Sequence, residues 1–127
     1  MHELSICQAL LAQVTELAMS RGAQSVERIT IEVGPLSGVD PTLLADAFEI
    51  ARIGGYAADA VLYIDPIAVT VFCGLCGARS PAAPNRLICA SCGDYRVRVI
   101  AGDELRLRRV ELRVAEPILV AKGLSAV

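Results

Sequence analysis

Histidine is almost missing from this chain: there is one, His2, in 127 residues. That scarcity removes most mechanisms that use imidazole as base or nucleophile, unless the chemistry takes place at the N-terminus itself. Tryptophan is absent and aromatics make up only 4%, so stacking on bases or sugars has little to work with. No run reaches the roughly 18 uncharged apolar residues of a membrane span, because Asp59, Asp65 and Arg79 break the greasiest stretch. A secretory leader needs a basic start, whereas Met1-His2-Glu3 carries an acid and the first arginine is Arg21. The expected location is the cytoplasm, away from membranes. No Gly-rich phosphate cradle is present either, which argues against a nucleotide-using enzyme.

What is present is a 54% apolar chain with a mean hydropathy of +0.53. It is long enough for one domain with an aliphatic core and too short for two full-sized ones. The net charge of -2 hides an uneven distribution: residues 1–66 hold three arginines against nine acids (-6), and residues 67–127 hold eight arginines and Lys122 against five acids (+4). A charge of +4 is small for a dedicated nucleic-acid binder, which needs one basic group per neutralised phosphate.

Periodicity predicts the elements. Ile6, Cys7, Leu10, Leu11, Val14, Leu17 and Ala18 recur at helical spacing, with Ser5 and Gln8 in capping-box relation, leaving Met1-His2-Glu3 as a free arm. Cys7 falls in the apolar stripe and reads as core. Val26–Val33 alternates as a half-buried strand. Asp40-Pro41, with Val39 placed to staple onto Leu44, announces a second helix that Gly54-Gly55 closes. Further strands are expected over Val61–Ile64, Ile67–Phe72, Tyr95–Ile100 and Leu105–Val114. In the last, inward parity shifts across Arg108-Arg109, as at a bulge. The expected fold is α+β: a small sheet covered on one face by two helices, with an inserted four-cysteine subdomain. In residue ranges, 1–72 and 95–114 form the α/β domain, 73–94 the insertion and 115–127 an apolar, unpatterned tail.

Cys73-Gly74-Leu75-Cys76-Gly77 and Cys89-Ala90-Ser91-Cys92-Gly93 are twin C-x2-C-G knuckles. Two cysteines three apart direct both sulfurs to one ion, and the following glycine lets the chain turn back with its amides toward them. Two knuckles give four soft ligands and a closed tetrahedron, the signature of structural zinc. Disulfides or a redox pair suit twin knuckles in a cytosolic chain less well; iron in the same cage is the remaining rival. At the other end, a lone histidine near a terminus is ordinarily a solvated residue, but an α-amine, the imidazole of His2 and the intervening amides can form fused chelate rings suited to Ni(II) or Cu(II). A bulky second residue keeps the initiator methionine in place. Imidazole binds a metal only when neutral, so nickel affinity is expected to fall with acid.

Met1-His2-Glu3 before an amphipathic helix, the stretch Glu32-Val33-Gly34-Pro35-Leu36-Ser37-Gly38-Val39, the twin knuckles and Gly102-Asp103-Glu104-Leu105-Arg106 together resemble the HypA/HybF family of hydrogenase-maturation nickel chaperones. The likeness runs in order from Met1 to about Val114. It implies zinc at Cys73, Cys76, Cys89 and Cys92, and nickel at Met1, His2 and Glu3. It also implies work with the GTPase HypB, insertion of nickel into the large subunit of [NiFe]-hydrogenase and, in some organisms, service to urease. The tail has no clear place in the family pattern. A zinc-ribbon adaptor for nucleic acid or protein, using Arg79, Arg86, Arg96, Arg98, Arg106, Arg108 and Arg109, is the alternative; alternating arginines on a strand are commonly a solvated face. The residues do not decide nickel against cobalt, nor whether protomers pair as a homodimer through the tail.

Overall fold

A computed structural model describes residues 2–114 in full and the backbone of 118–122. The elements in chain order are α1 (Glu3–Ser20), β1 (Ser25–Val33), α2 (Pro41–Ala51), β2 (Val61–Pro66), β3 (Thr70–Cys73), β4 (Arg79–Pro81), β5 (Val97–Ala101), β6 (Leu105–Arg113) and β7 (Ile118–Lys122). They form two sheets, β2-β1-β6-β7 and β4-β3-β5. No described helix is long and apolar enough to cross a membrane. The chain divides into two compact units: Met1–Ile31, Asp40–Asp65 and Arg106–Val127 form the first, and Glu32–Val39 with Pro66–Leu105 the second. The expected 73–94 segment lies wholly inside the second unit.

In the first unit α1 begins three residues earlier than the Ser5 capping box predicts. His2 occupies the N-cap in extended conformation, without a side-chain cap, and its carbonyl accepts the first helical bond, from Ile6 at 3.2 Å. Glu3 is therefore part of the helix and not of a free arm. An acid in the first turn suits the positive end of the helix dipole, and the Glu3 carboxylate also accepts the Asp40 amide at 3.5 Å. At the other end, Ala23 N–H reaches back to Ala18 O at 2.9 Å, closing the last turn. The second helix starts as predicted, with Asp40 Oδ1 accepting from Thr42 (2.8 Å) and Leu43 (3.3 Å).

Both helices pack on one sheet face. Cys7, Leu10 and Leu11 of α1 and Leu44 and Phe48 of α2 line a common apolar space with Ile29, Ile31 and Leu62, and Ile29, Ile31, Leu44 and Val14 are essentially fully buried. Cys7 is core, its thiol donating to Leu44 O at 3.4 Å. On β6 the buried positions move from Leu107 to Val110 and Leu112, the parity shift read from the sequence, and Arg109 Nε is buried at that step without a hydrogen-bond partner. The tail, unpatterned in sequence, contributes an edge strand: β7 pairs antiparallel with β6 from Arg109↔Lys122 to Arg113↔Ile118.

In the second unit β3 lies between two antiparallel neighbours, with Phe72 opposite Arg79 on one side and Arg98 on the other. The strand starts at Thr70, later than the Ile67 predicted, and a register irregularity falls between Thr70 and Val71. Three backbone bonds fasten the 32–39 segment: Gly34 N–H to Glu104 O (2.8 Å), Leu36 N–H to Gly102 O (2.8 Å) and Ile67 N–H to Val33 O (3.0 Å). Gly34 and Gly102 allow this approach, since a Cβ on Gly34 would stand 2.1 Å from Gly102 O.

Candidate metal centre

The first knuckle grows out of the end of a short strand, and the second lies in the loop between β4 and β5. Cys73 closes β3 and is buried, as is Cys89, while Cys76 and Cys92 are exposed. The two loops repeat one backbone pattern. Cys73 N–H donates to Ala78 O and Cys89 N–H to Asp94 O, each at 2.9 Å; Gly77 N–H returns to Cys73 O at 2.9 Å and Gly93 N–H to Cys89 O at 2.8 Å. Both glycines have positive φ, 76° and 79°, which an L side chain resists. Within each loop the second cysteine's amide donates to the first cysteine's sulfur at 3.4 Å.

The four sulfurs converge within 4.8 Å of one another. Cys73 Sγ lies 3.6 Å from Cys92 Sγ, and Cys76 Sγ 3.6 Å from Cys89 Sγ. A disulfide needs about 2.05 Å, so these are not bonded pairs, and all five cysteines are free. A tetrahedron with sulfur about 2.3 Å from its centre has edges of about 3.8 Å. The donor set therefore fits a zinc-sized ion with little movement.

The thiols are tuned by the same bonds. The Cys92 amide holds the Cys89 thiol down to about 6, and the Cys76 amide lowers Cys73. Cys92 has the opposite balance: the Asp94 amide favours its thiolate, but burial and the crowding sulfurs of Cys73, Cys76 and Cys89 outweigh it and push the thiol up to about 12. Four sulfurs this close resist sharing so much negative charge without a cation between them, and a divalent ion supplies that charge.

Two residues that the spacing rule does not single out complete the frame. The Ser80 hydroxyl, buried on β4, accepts the Ala90 amide at 3.1 Å and ties the second knuckle to the sheet. The Asp94 carboxylate grips Arg96 through both Nε (3.0 Å) and Nη2 (2.7 Å) and through its amide (2.7 Å). Those bonds hold Asp94 down to about 2. The position of Asp94, five residues after Cys89 as Ala78 is after Cys73, is the signal that finds it.

At the N-terminus, His2 is exposed and Glu3 half-buried, and Met1 lies outside the described residues. The amides of Glu3, Leu4 and Ser5 precede the first intrahelical bond and owe nothing to the helix ladder.

The comparisons agree with one another. The family model described as "Hydrogenase/urease nickel incorporation, metallochaperone, hypA" matches residues 1–112, ending within β6. A "Hydrogenase maturation factor HypA" of Nitrosospira multiformis is 42% identical over 112 residues, covering 88% of this chain and 97% of the relative. That of Aquifex aeolicus is 34% identical over 114 residues, 90% of this chain and 99% of the relative. Among solved structures, the solution structure of the Ni metallochaperone HypA from Helicobacter pylori aligns at 31% identity and a TM-score of 0.66, covering 90% of this chain and 99% of that one. The match spans both the helical N-terminus and the cysteine cluster, and on it the chain belongs to the HypA family of hydrogenase maturation factors, nickel metallochaperones rather than enzymes.

Proposed function

We propose that this chain carries nickel at its N-terminus, with Met1, His2 and Glu3 as the ligand set, and keeps zinc at Cys73, Cys76, Cys89 and Cys92 as a permanent structural ion. The observation that carries the reading is the closed sulfur cluster, four donors within 4.8 Å of one another. A complete shell of thiolates holds its ion and leaves no open position for a cargo to enter and leave. Cargo then requires a second, looser site. The exposed His2, beside amides that serve no helix bond, is the place whose chemistry suits nickel: nitrogen donors with room for a partner's ligands to displace them.

In this reading residues 1–72 and 95–114 serve nickel, residues 73–94 serve zinc, and the tail 115–127 lies outside both sites. Zinc supplies folding energy to a loop that is poor in apolar side chains. The nickel passes, in the cytoplasm and together with a HypB-type GTPase, to the large subunit of a [NiFe]-hydrogenase. Urease is a second client on the same chemistry, in keeping with the hydrogenase/urease wording of the family description.

The test compares three tag-free proteins for bound nickel and zinc: the native chain, His2→Ala, and a chain with one glycine placed before Met1. Both changes are expected to abolish stoichiometric nickel and leave zinc intact, because the first removes the imidazole and the second takes the α-amine out of its chelate ring. Retention of full nickel by both altered chains would refute the N-terminal site.

A further inference from the structure

The second unit carries a surface that neither metal uses. Phe72 on β3 stands directly between Arg79 on β4 and Arg98 on β5. With neighbouring strands about 4.8 Å apart, the two arginine Cα atoms are about 10 Å from each other on one sheet face. Both side chains are exposed, and the Arg98 guanidinium lies over the Phe72 ring, 5.3 Å from its centroid.

Five other arginines are paired. Arg28, Arg52, Arg96, Arg108 and Arg113 each meet a carboxylate. Neither Arg79 nor Arg98 has a carboxylate partner among the described residues. The sulfur cluster does not serve as their counter-charge either. Side chains alternate along a strand, so Val71 and Cys73, both fully buried, turn away from the face that bears Phe72.

The sheet ends beside this row. β5 is the last strand of its sheet, with no further strand against it among the described residues. Gly74 N–H donates to Arg96 O at 3.1 Å, which sets the alternation: Arg96 and Arg98 direct their backbone groups at β3 and Val99 directs both of its own outward; at Val97 only the carbonyl is offered, since its N–H donates to Tyr95 O at 2.9 Å.

We propose that the outer edge of β5, with the Arg79–Phe72–Arg98 row beside it, docks an extended acidic segment of a partner protein. The incoming strand bonds to the Val97 carbonyl and to the N–H and carbonyl of Val99, and its alternate side chains reach the guanidinium groups, whose planar forks match carboxylates. A nucleic acid shares the negative charge but has no use for an unpaired strand edge, so the two features together select a peptide. The inference holds whichever ions the chain carries.

The probe is a capped nonapeptide of alternating valine and glutamate, titrated into the isotope-labelled, zinc-loaded full chain. Controls are the same peptide with lysine for glutamate and a single-stranded oligonucleotide of equal charge. The expected result is a saturable shift of the Val99 amide with the glutamate peptide, in binding at least tenfold weaker in Arg79→Glu/Arg98→Glu. That double variant, checked for native zinc content, should instead bind the lysine peptide. No saturable shift, undiminished affinity in the double variant, or failure of the charge swap would overturn the proposal. So would tighter binding of the oligonucleotide through the same arginines, or a homodimer that the double variant abolishes.

Discussion

Replacing Gly34 by alanine tests whether the 32–39 segment is held by backbone contact as tightly as the structure shows. The added Cβ would stand 2.1 Å from Gly102 O and 2.2 Å from Gly102 C, whereas carbon atoms rest at about 3.5 Å or more from such neighbours. Relief demands backbone movement of about 1 Å. That movement lengthens the Gly34–Glu104 and Leu36–Gly102 hydrogen bonds, both 2.8 Å, beyond useful range. Losing two such bonds costs about 1 kcal/mol each, and overpacking adds about 1–3 kcal/mol. The expected loss is about 3–5 kcal/mol, a large share of the roughly 5–15 kcal/mol that holds a domain folded. Gly38→Ala is the control: Gly38 has φ +79 but nothing within 4 Å of an added Cβ, so its cost is conformational alone, about 1–2 kcal/mol. Urea unfolding of both variants at fixed excess zinc, followed by circular dichroism, measures the difference. If Gly34→Ala lost no more stability than Gly38→Ala, the tight contact would not be a feature of the folded protein.

Cys89→Ser removes one of four thiolates. Structural zinc binds with about 10–16 kcal/mol, and a quarter of that, about 3 kcal/mol, predicts a Kd weakened a hundredfold or more in competition with a chelator. The helical signal should survive, because Val14, Ile31, Leu44 and Val110 give the first unit its own core. Glu27→Gln tests the bond with Arg113, which holds the Glu27 carboxyl below its ordinary value of 4.5. A lowered folded value means that the contribution is present above pH 4.5 and fades as the pH falls through the folded value. Native protein and variant should therefore differ in unfolding midpoint at pH 7, with the gap shrinking as the pH is lowered below 4.5; a gap that stays constant down to the acid limit of folding would contradict the pairing.

The sequence was most legible where one residue type enforces one geometry. Cysteine spacing and the following glycines announced both knuckles, and Asp40-Pro41 announced the start of α2, because cap and N1 preferences are local. The start of α1 was misplaced since Ser5 and Gln8 satisfy a local rule, while Glu3 answers to Asp40, 37 residues away. β4 passed unnoticed because Arg79-Ser80-Pro81 is three residues long and ends in proline; its partner β3 makes it a strand. β7 likewise takes its conformation from β6 and carries no period of its own. Ser80 was invisible as part of the metal centre, because a hydroxyl near a knuckle has many uses until its hydrogen bonds are seen, and Asp94 is marked only by repeating the place of Ala78 after its knuckle.

The duplicated loop pattern around the sulfurs has a consequence for how this region tolerates change. Each hairpin brings its own main-chain donors to its own leading cysteine and asks no neighbouring lysine or imidazole for help. Drift at Leu75, Ala90 or Ser91 should leave ion retention untouched, whereas a side chain at either turn-back glycine meets open space but a left-handed backbone and should cost about 1–2 kcal/mol, less than a lost ligand.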